Sequence, residues 1–423
     1  MSQPARILLA LIAGLLLGIV CAAAAAPGLL AGAIAIAEPV GGIWLDALRM
    51  TIVPLVVSLL VTGIAATAEA ARAGRLAVRA LLLFLAVLWT SSILAALLVP
   101  WFVSLWPLPA IGSDALRTAL GGSAMPAGQV PGIAAFLRGI VPANPFAAAA
   151  SDAMLPLIFF TTVFGFAVTR IAAGPRAQLV AVFAAIRDAM LVVIGWVLWV
   201  GPLGVFALAF VVGARAGTGA VGALIHYILV VSSVGAVIWL LAYPLARFAG
   251  GIPLFAFARA VAPSQAVAVS TQSSLASLPT MLAGAERLGV PASAAGVVLP
   301  LAVALFRATG PAMNLGVALY VAHWFGISLG PSQIAAGIAA GAITTMGSVS
   351  LPGQVSFIAS IAPIALAMGV PIEPLGILVA VEMMPDIVRT VGNVTMDIAV
   401  TTVAARGLDE GGNAERVTDG VAP

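Results

Sequence analysis

The sequence predicts an all-α polytopic membrane protein, and three observations carry that fold class. The 423 residues are 62% hydrophobic and only 8% charged, where a soluble domain carries about 25% charge. Apolar stretches long enough to cross a bilayer follow one another along most of the chain. Two late stretches are interrupted at their midpoints by Ser, Gly and Pro, which predicts two re-entrant helical hairpins beside eight transmembrane helices.

In chain order, residues 7–26 form the first apolar run. Arg6 precedes it as in a secretory leader, but a run of about 20 residues suits a retained span better than a short signal core. The stretch 27–42 reads as a loop without a basic residue. Apolar segments then cover 43–67, 77–106, 153–173, 178–213 and 219–246, with 107–150 as the one long loop. Several exceed the ~20 residues a bilayer needs, which predicts strong tilt or a broken path. The interrupted segments are 252–289 and 331–368, separated by 294–326 and followed by 372–405. Both carry Ser-Leu-Pro at the midpoint, within 273–279 and 347–353. Each half is about 15–18 residues, too short to span comfortably. Open backbone groups at such tips are tolerated in a membrane only where they line a cavity or bind a ligand. Ordinary spans kinked at proline would not explain the paired Ser-rich tips. The tail 407–423 is polar and Gly-rich and reads as disordered.

Arginine placement orients the chain. Arg6, the cluster Arg72, Arg75 and Arg79, then Arg170, Arg176, Arg247, Arg259, Arg406 and Arg416 fall where cytoplasmic segments are expected. Both termini would be inside, and ten full spans would give the same parity as eight. Lys is absent, the net charge is +3, and no basic run interleaves with aromatics, so nucleic-acid binding is excluded. The lone Cys21 excludes an intrachain disulfide or a cysteine metal site. His226 and His323 lie far apart without ligand spacing and read as structural.

The most informative feature is a polar stripe in the last segment. Glu382, Asp386, Arg389, Asn393 and Asp397 are spaced by four, three, four and four residues. At roughly 100° per residue they share a face about 80° wide, with Thr390 at its edge. A charge at the centre of a membrane helix costs about 2.5–3.5 kcal/mol on insertion scales. Such groups persist when they face a protein interior or wet cavity and have partners. The stripe therefore reads as an ion and substrate site. An anion-binding Arg389 one turn from a cation-binding Asp386 suits a zwitterion with an extra carboxylate. Pairing of these two side chains with each other is the alternative.

The Ser-rich hairpin, the Gly-x-x-x-x-Pro-Gly hairpin at 347–353 and the Asp-x-x-Arg-Thr-x-x-Asn-x-x-x-Asp helix at 386–397 together resemble the dicarboxylate/amino acid:cation symporters, the family of the glutamate transporters. Residues 141–146 with 155–160 resemble the family's fourth helix, 201–206 its fifth and 48–54 its second, so the resemblance covers 40–406. It implies an elevator-type glutamate-transporter fold and a homotrimer in the bacterial inner membrane. Residues 1–76 and 107–218 would be scaffold, the latter with an extracellular loop. Residues 77–106 and 219–406 would form the transport domain, comprising a helix, the first hairpin 252–289, helix 294–326, the second hairpin 331–368 and helix 372–405. Arg389 would bind the substrate's side-chain carboxylate and Asp386 its amino group, with Thr390 and Asn393 on the amino and carboxylate groups. The hairpin tips would contribute Ser273 and Ser274 on one side and Ser348, Pro352 and Gly353 on the other. Asp397, Asn393, Thr309, Asn314, Thr90 and Ser91 would serve the coupling cation, Na+ or H+, with no cofactor.

Departures from the family pattern bear on the ions. In a gapless match the acidic ion ligand of the seventh helix is replaced by Leu315, and Asn314 is displaced by one position and turned from the usual site. This predicts fewer coupled sodium ions, or protons in their place. Arg307 stands where the match expects Pro, and a buried Arg needs a carboxylate or an anion: Glu382, Asp386, Asp397 or substrate. A helix-end Arg facing the cytoplasm is the other reading of it. Glu382 is a supporting partner of the site or a proton carrier. The leading function is a secondary active symporter for aspartate or glutamate, with a proton-coupled C4-dicarboxylate carrier as runner-up. Asp386 argues against the runner-up, which offers no amine, and Leu315 argues mildly for it. No metal cluster, Ser/His/Asp constellation or phosphate loop supports an enzyme, and paired gates disfavour a passive anion channel.

Overall fold

The computed structural model describes residues 3–107, 138–345 and 353–406, and every regular element among them is helical. In order these are α1 (Gln3–Ala24), α2 (Pro27–Arg49), α3 (Ile52–Ala70), α4 (Arg75–Leu105), α5 (Pro145–Ala150), α6 (Met154–Val168), α7 (Ala173–Trp199), α8 (Gly201–Ala216) and α9 (Gly219–Pro244). There follow α10 (Leu254–Thr271), α11 (Leu278–Arg287), α12 (Ala292–Leu305), α13 (Gly310–Trp324), α14 (Pro331–Thr345), α15 (Gly353–Ala367), α16 (Leu375–Val381) and α17 (Met383–Ala405). Among the described residues, six helical runs are long and apolar enough to cross a membrane: Ala5–Ala24, Pro27–Ala70, Arg75–Leu105, Ala173–Trp199, Gly219–Ala249 and Ala292–Trp324. Shorter apolar helices accompany them, Met154–Val168 and Gly201–Ala216 among them. The chain is a multi-pass membrane protein.

The helix boundaries correct the sequence reading in several places, and most corrections share one cause. A proline cannot donate to the carbonyl four residues earlier, so the helix is free to break there. Pro54 leaves Met50 unpaired, and the segment read as 43–67 divides between α2 and α3. Pro202 cannot donate to the Leu198 carbonyl, and 178–213 divides into α7 and α8. Pro311 leaves Arg307 without that bond, and 294–326 opens at residues 306–309 between α12 and α13. Pro385 leaves Val381 unpaired, and 372–405 divides into α16 and α17 at Glu382. Pro39, Pro100 and Pro363 lie inside unbroken helices, so proline permits a break without dictating it. The supposed loop 27–42 is helical: Pro27 occupies the first turn of α2, where its missing N–H costs nothing. The apolar Leu29, Leu30, Ile34 and Ile36 continue the helix from there.

Two neighbourhoods organise the packing. In one, α8 packs on α1 and α2, and α3 packs on α6 and α7. In the other, α17 is surrounded by α9, α10, α12 and α4, with α13 against α4, α14 and α15. The pairs α10–α11 and α14–α15 each pack on themselves. Residues 272–277 join the first pair, whereas 346–352, the tip of the second, lie outside the described residues.

The α1–α8 contact is a seam of small residues, the usual device for close helix approach in membranes. A Cβ on Gly14, Gly18 or Gly213 would run into the backbone of the facing helix. Gly18→Leu is therefore expected to destabilise the fold by at least ~1–3 kcal/mol, the usual cost of overpacking. Gly32→Leu, at a position with open space around it, should cost little. Thermal loss of the monodisperse detergent peak reads both, and equal melting of the two variants would refute the seam.

Candidate functional site

Every residue of α17 from Thr390 to Ala405 is buried. A helix enclosed on all sides is normally apolar all round, yet this one holds Thr390, Asn393, Thr395, Asp397, Thr401 and Thr402. The polar face must therefore be satisfied within the protein.

At its N-terminal end, Glu382 sits in the junction left by Pro385, and its carbonyl accepts the Asp386 amide at 2.9 Å. Asp386 lies in the first turn of α17, where the helix dipole favours an acid. Arg389, one turn on, converges on both carboxylates. Its Nη2 donates to Glu382 Oε1, its Nε lies 3.3 Å from Asp386 Oδ1, and its Nη1 donates to Asn314 Oδ1 at 2.6 Å. Two of the five guanidinium donors hydrogen-bond among the described residues, to Glu382 and Asn314, and Nε forms the ion pair with Asp386. Tyr227 of α9 donates to the other Glu382 oxygen at 3.4 Å, so α9, α13 and α17 meet around one guanidinium.

One turn further, the break at 306–309 docks onto the same face. Asn393 Oδ1 accepts from the Thr309 amide at 3.0 Å and its hydroxyl at 2.8 Å, and that hydroxyl lies 2.9 Å from the Arg389 carbonyl. Ser91 of α4 donates to the Ala308 carbonyl. Thr390 turns its hydroxyl back to the Asp386 carbonyl at 2.9 Å. Asp397 is fully buried, and neither of its carboxylate oxygens has a hydrogen-bond partner among the described residues. Arg307 lies in the break itself, within electrostatic reach of Asp386, Asp397 and Arg389. It lies just past the end of α12 and is half-buried.

The first hairpin tip adjoins this cluster. Gln272 ends α10 with φ of 51°, and its Nε2 donates to the Met383 carbonyl at 3.1 Å. Positive φ in a non-glycine residue costs energy, and here it turns the chain into the serines. Ser273 accepts the Ala276 amide at 3.2 Å, Ser277 is buried, and Ser274 is half-buried. Gly353 opens α15, while Ser348 and Pro352 lie outside the described residues.

The structure therefore brings Arg389, Asp386, Glu382, Asn393, Thr309, Asn314 and Arg307 together, with Asp397 one turn below. It does not bring in Thr90, which is exposed, returns its hydroxyl to the Ala86 carbonyl, and lines an apolar crevice with Leu83, Leu241 and Val400. Asn314 Oδ1 accepts from Arg389 Nη1 at 2.6 Å. Leu315 is buried within α13, close to Gly337 of α14, so the opened backbone lies at 306–309 and not around Leu315. Sequence reasoning missed Tyr227 and Gln265. The latter donates to Thr395 at 3.0 Å and Tyr243 at 3.2 Å, tying α10 to α17 and α9. For Tyr227 scarcity was the available signal, since the chain has 3 Tyr in all. A polar side chain inside an apolar segment needs a partner.

Comparison with known proteins is consistent with this geometry. A family model described as the sodium:dicarboxylate symporter family matches residues 4–407. The chain is 29% identical over 377 residues to a proton/glutamate-aspartate symporter of Escherichia coli, covering 87% of this chain and 84% of that protein. It is 27% identical over 376 residues to a proton/sodium-glutamate symport protein of Bacillus subtilis, covering 87% and 85%. It is 26% identical over 376 residues to a C4-dicarboxylate transport protein of Azorhizobium caulinodans, covering 87% and 82%.

Proposed function

The chain belongs to the sodium:dicarboxylate symporter family, and from that premise we propose that it imports acidic amino acids, aspartate or glutamate, by cation-coupled secondary active symport. The observation that carries the reading is Arg389 held beside Asp386 on the enclosed face of α17. A fixed guanidinium is suited to a carboxylate, and the neighbouring Asp386 to an ammonium. Charge then demands coupling. Three carboxylates, Glu382, Asp386 and Asp397, face two guanidinium groups, Arg307 and Arg389, leaving one formal negative charge. An acidic amino acid adds another, and buried uncompensated charge is costly. Cations, Na+ or H+, must enter with the substrate.

Eight spans and two re-entrant hairpins, α10–α11 and α14–α15, accommodate this mechanism, with both termini cytoplasmic in a bacterial inner membrane. The neighbourhood around α17, comprising 77–106 and 219–406, would move as the elevator against a trimeric scaffold of 1–76 and 107–218. The packing of α4, α9, α10, α11, α12 and α15 against α17, with α13 against α4, α14 and α15, supports that division.

One contact favours a second reading, a C4-dicarboxylate carrier. Asp386 already has a cation in Arg389 Nε at 3.3 Å and does not require a substrate amine. Labelled L-aspartate uptake into proteoliposomes, driven by a sodium gradient or by an equal proton gradient, tests the proposal. Accumulation under either gradient is expected. Equilibration without accumulation would make the protein a channel, and accumulation of succinate but not aspartate would select the second reading.

A further inference from the structure

Beside the candidate site, α4, α9 and α17 enclose an apolar crevice of about 380 Å³. Two hydroxyls stand in its wall, and both are spent on backbone: Thr90 on the Ala86 carbonyl and Ser91 on the Ala308 carbonyl. The rest of the lining is apolar, from Leu83 and Leu94 of α4 to Leu241 of α9 and Val403 of α17. Water stays in a cavity only where two to four polar partners hold it, so these walls suit hydrocarbon. Ala86, Thr90 and Leu241 are exposed, so the crevice opens at the surface of the helices. In a multi-pass protein the surface along a spanning helix meets lipid. The α4 lining runs from Leu83 to Leu94, a rise of about 17 Å at ~1.5 Å per residue. Half of a ~30 Å hydrocarbon core is about 15 Å, so the crevice has the depth of one leaflet.

One end of the crevice is ringed by arginine. Leu83, Leu245 and Val403 line that end, and Arg79, Arg247 and Arg406 lie within about one turn beyond them. Arg247 sits in the π-turn Leu245–Ala249 that continues α9. Arg79 Nη1 donates to the Arg406 carbonyl at 2.7 Å, and Arg406 Nη1 donates to the Ala249 carbonyl at 2.7 Å, which ties the three helix ends together. All three arginines are exposed, and none is in a salt bridge among the described residues. Gathered charge of one sign beside low-dielectric walls concentrates the opposite charge. Phe248, next to Arg247, is exposed, so apolar surface continues up to the charges.

We propose that this crevice binds an anionic phospholipid, with an acyl chain between α4, α9 and α17 and the headgroup phosphate on Arg79, Arg247 and Arg406. Basic pockets between transmembrane helices are a recurrent means of holding such headgroups. A free phosphate would use the arginines and leave the apolar walls uncovered. A zwitterionic lipid would cover the walls but bring a cationic group to the arginines. The lipid site needs only the membrane fold, so it is independent of the symport reading and of the uptake assay.

Native mass spectrometry of the purified full chain in detergent, titrated with phosphatidylglycerol, phosphatidylcholine or inorganic phosphate, tests the proposal. The parent should retain phosphatidylglycerol at least about tenfold more tightly than phosphatidylcholine, and added salt should narrow the difference. Arg79→Gln with Arg247→Gln should weaken phosphatidylglycerol binding by roughly 30-fold, the worth of two cations at an anionic surface. Ala86→Trp, which fills the crevice and leaves the arginines in place, should weaken both lipids and spare the preference between them. Equal binding of the two lipids by the parent overturns the proposal. Phosphate bound as tightly as phosphatidylglycerol also overturns it, since the arginines would then be an anion site only. Phosphatidylglycerol binding that survives both variants places the lipid elsewhere and overturns it too. Should either variant fail to fold, the parent's ordering of the three probes still decides.

Discussion

Arg389→Ala is expected to abolish uptake of acidic substrates. Truncating one partner of a buried, hydrogen-bonded charge pair costs about 2–5 kcal/mol, which at 1.4 kcal/mol per decade is a loss of roughly 30-fold to several-thousand-fold in affinity. The same change strips Glu382 of its guanidinium, leaving a buried carboxylate whose remaining hydrogen bond among the described residues is the long Tyr227 bond of 3.4 Å. Breaking a buried pair from one side destabilises by about 3–5 kcal/mol, so transport and folding must be measured together. Two companions separate them. Arg389→Lys keeps the charge but loses the fork that reaches Glu382, Asp386 and Asn314 at once, and should fold while transporting poorly. Arg389→Ala with Glu382→Gln removes the Glu382–Arg389 pair while leaving Asp386 without its ion pair to Arg389, and should recover part of the stability without recovering uptake of aspartate. Admission of neutral amino acids by that pair would follow from an emptied anion subsite. Normal aspartate uptake by a folded Arg389→Ala protein would remove Arg389 from the role of carboxylate clamp.

The polar stripe was legible because helical periodicity survives burial: residues spaced by three and four share a face whether or not their partners are known. Glu382 at the start of α17 and Asp386, Asn393 and Asp397 within it are buried, and Arg389 between them is half-buried. The break between α10 and α11 was legible for a similar reason, since serines and a proline at the centre of an apolar segment interrupt the helix there. What crosses between elements was not. That Asn314 accepts from Arg389, and that Tyr227 reaches Glu382, depends on how α9 and α13 rotate against α17. No local pattern fixes that rotation. Leu315 drew attention as a missing ion ligand, but the opened backbone lies at 306–309, where Pro311 withholds its hydrogen bond from Arg307. The prolines at 54, 202, 311 and 385 carried the information on where long apolar segments break. Hydropathy alone joins the pieces on either side of each one.

The second large effect is expected at Asp386, and it distinguishes the two substrate classes. In Asp386→Asn, Arg389 keeps its hydrogen bonds to Glu382 and Asn314 and loses only the ion pair of 3.3 Å from Nε to Oδ1, so the arginine should keep its place. Asparagine cannot offer a negative charge to an ammonium group. If the site takes amino acids, the variant forfeits a buried charge pair with the substrate amine, a loss of about 2–5 kcal/mol, or roughly 30-fold to several-thousand-fold for aspartate. A dicarboxylate has no amine, and removing a nearby negative charge should leave its binding unchanged or improve it. Labelled aspartate and labelled succinate, each titrated into Asp386→Asn and parent proteoliposomes under the same imposed gradient, give the comparison. A fall confined to aspartate places Asp386 on the amino group. Equal falls for both would mean that Asp386 acts only through Arg389, as its partner in the resting pair. Improved succinate transport by a parent that barely takes aspartate would make the dicarboxylate carrier the better description of the protein.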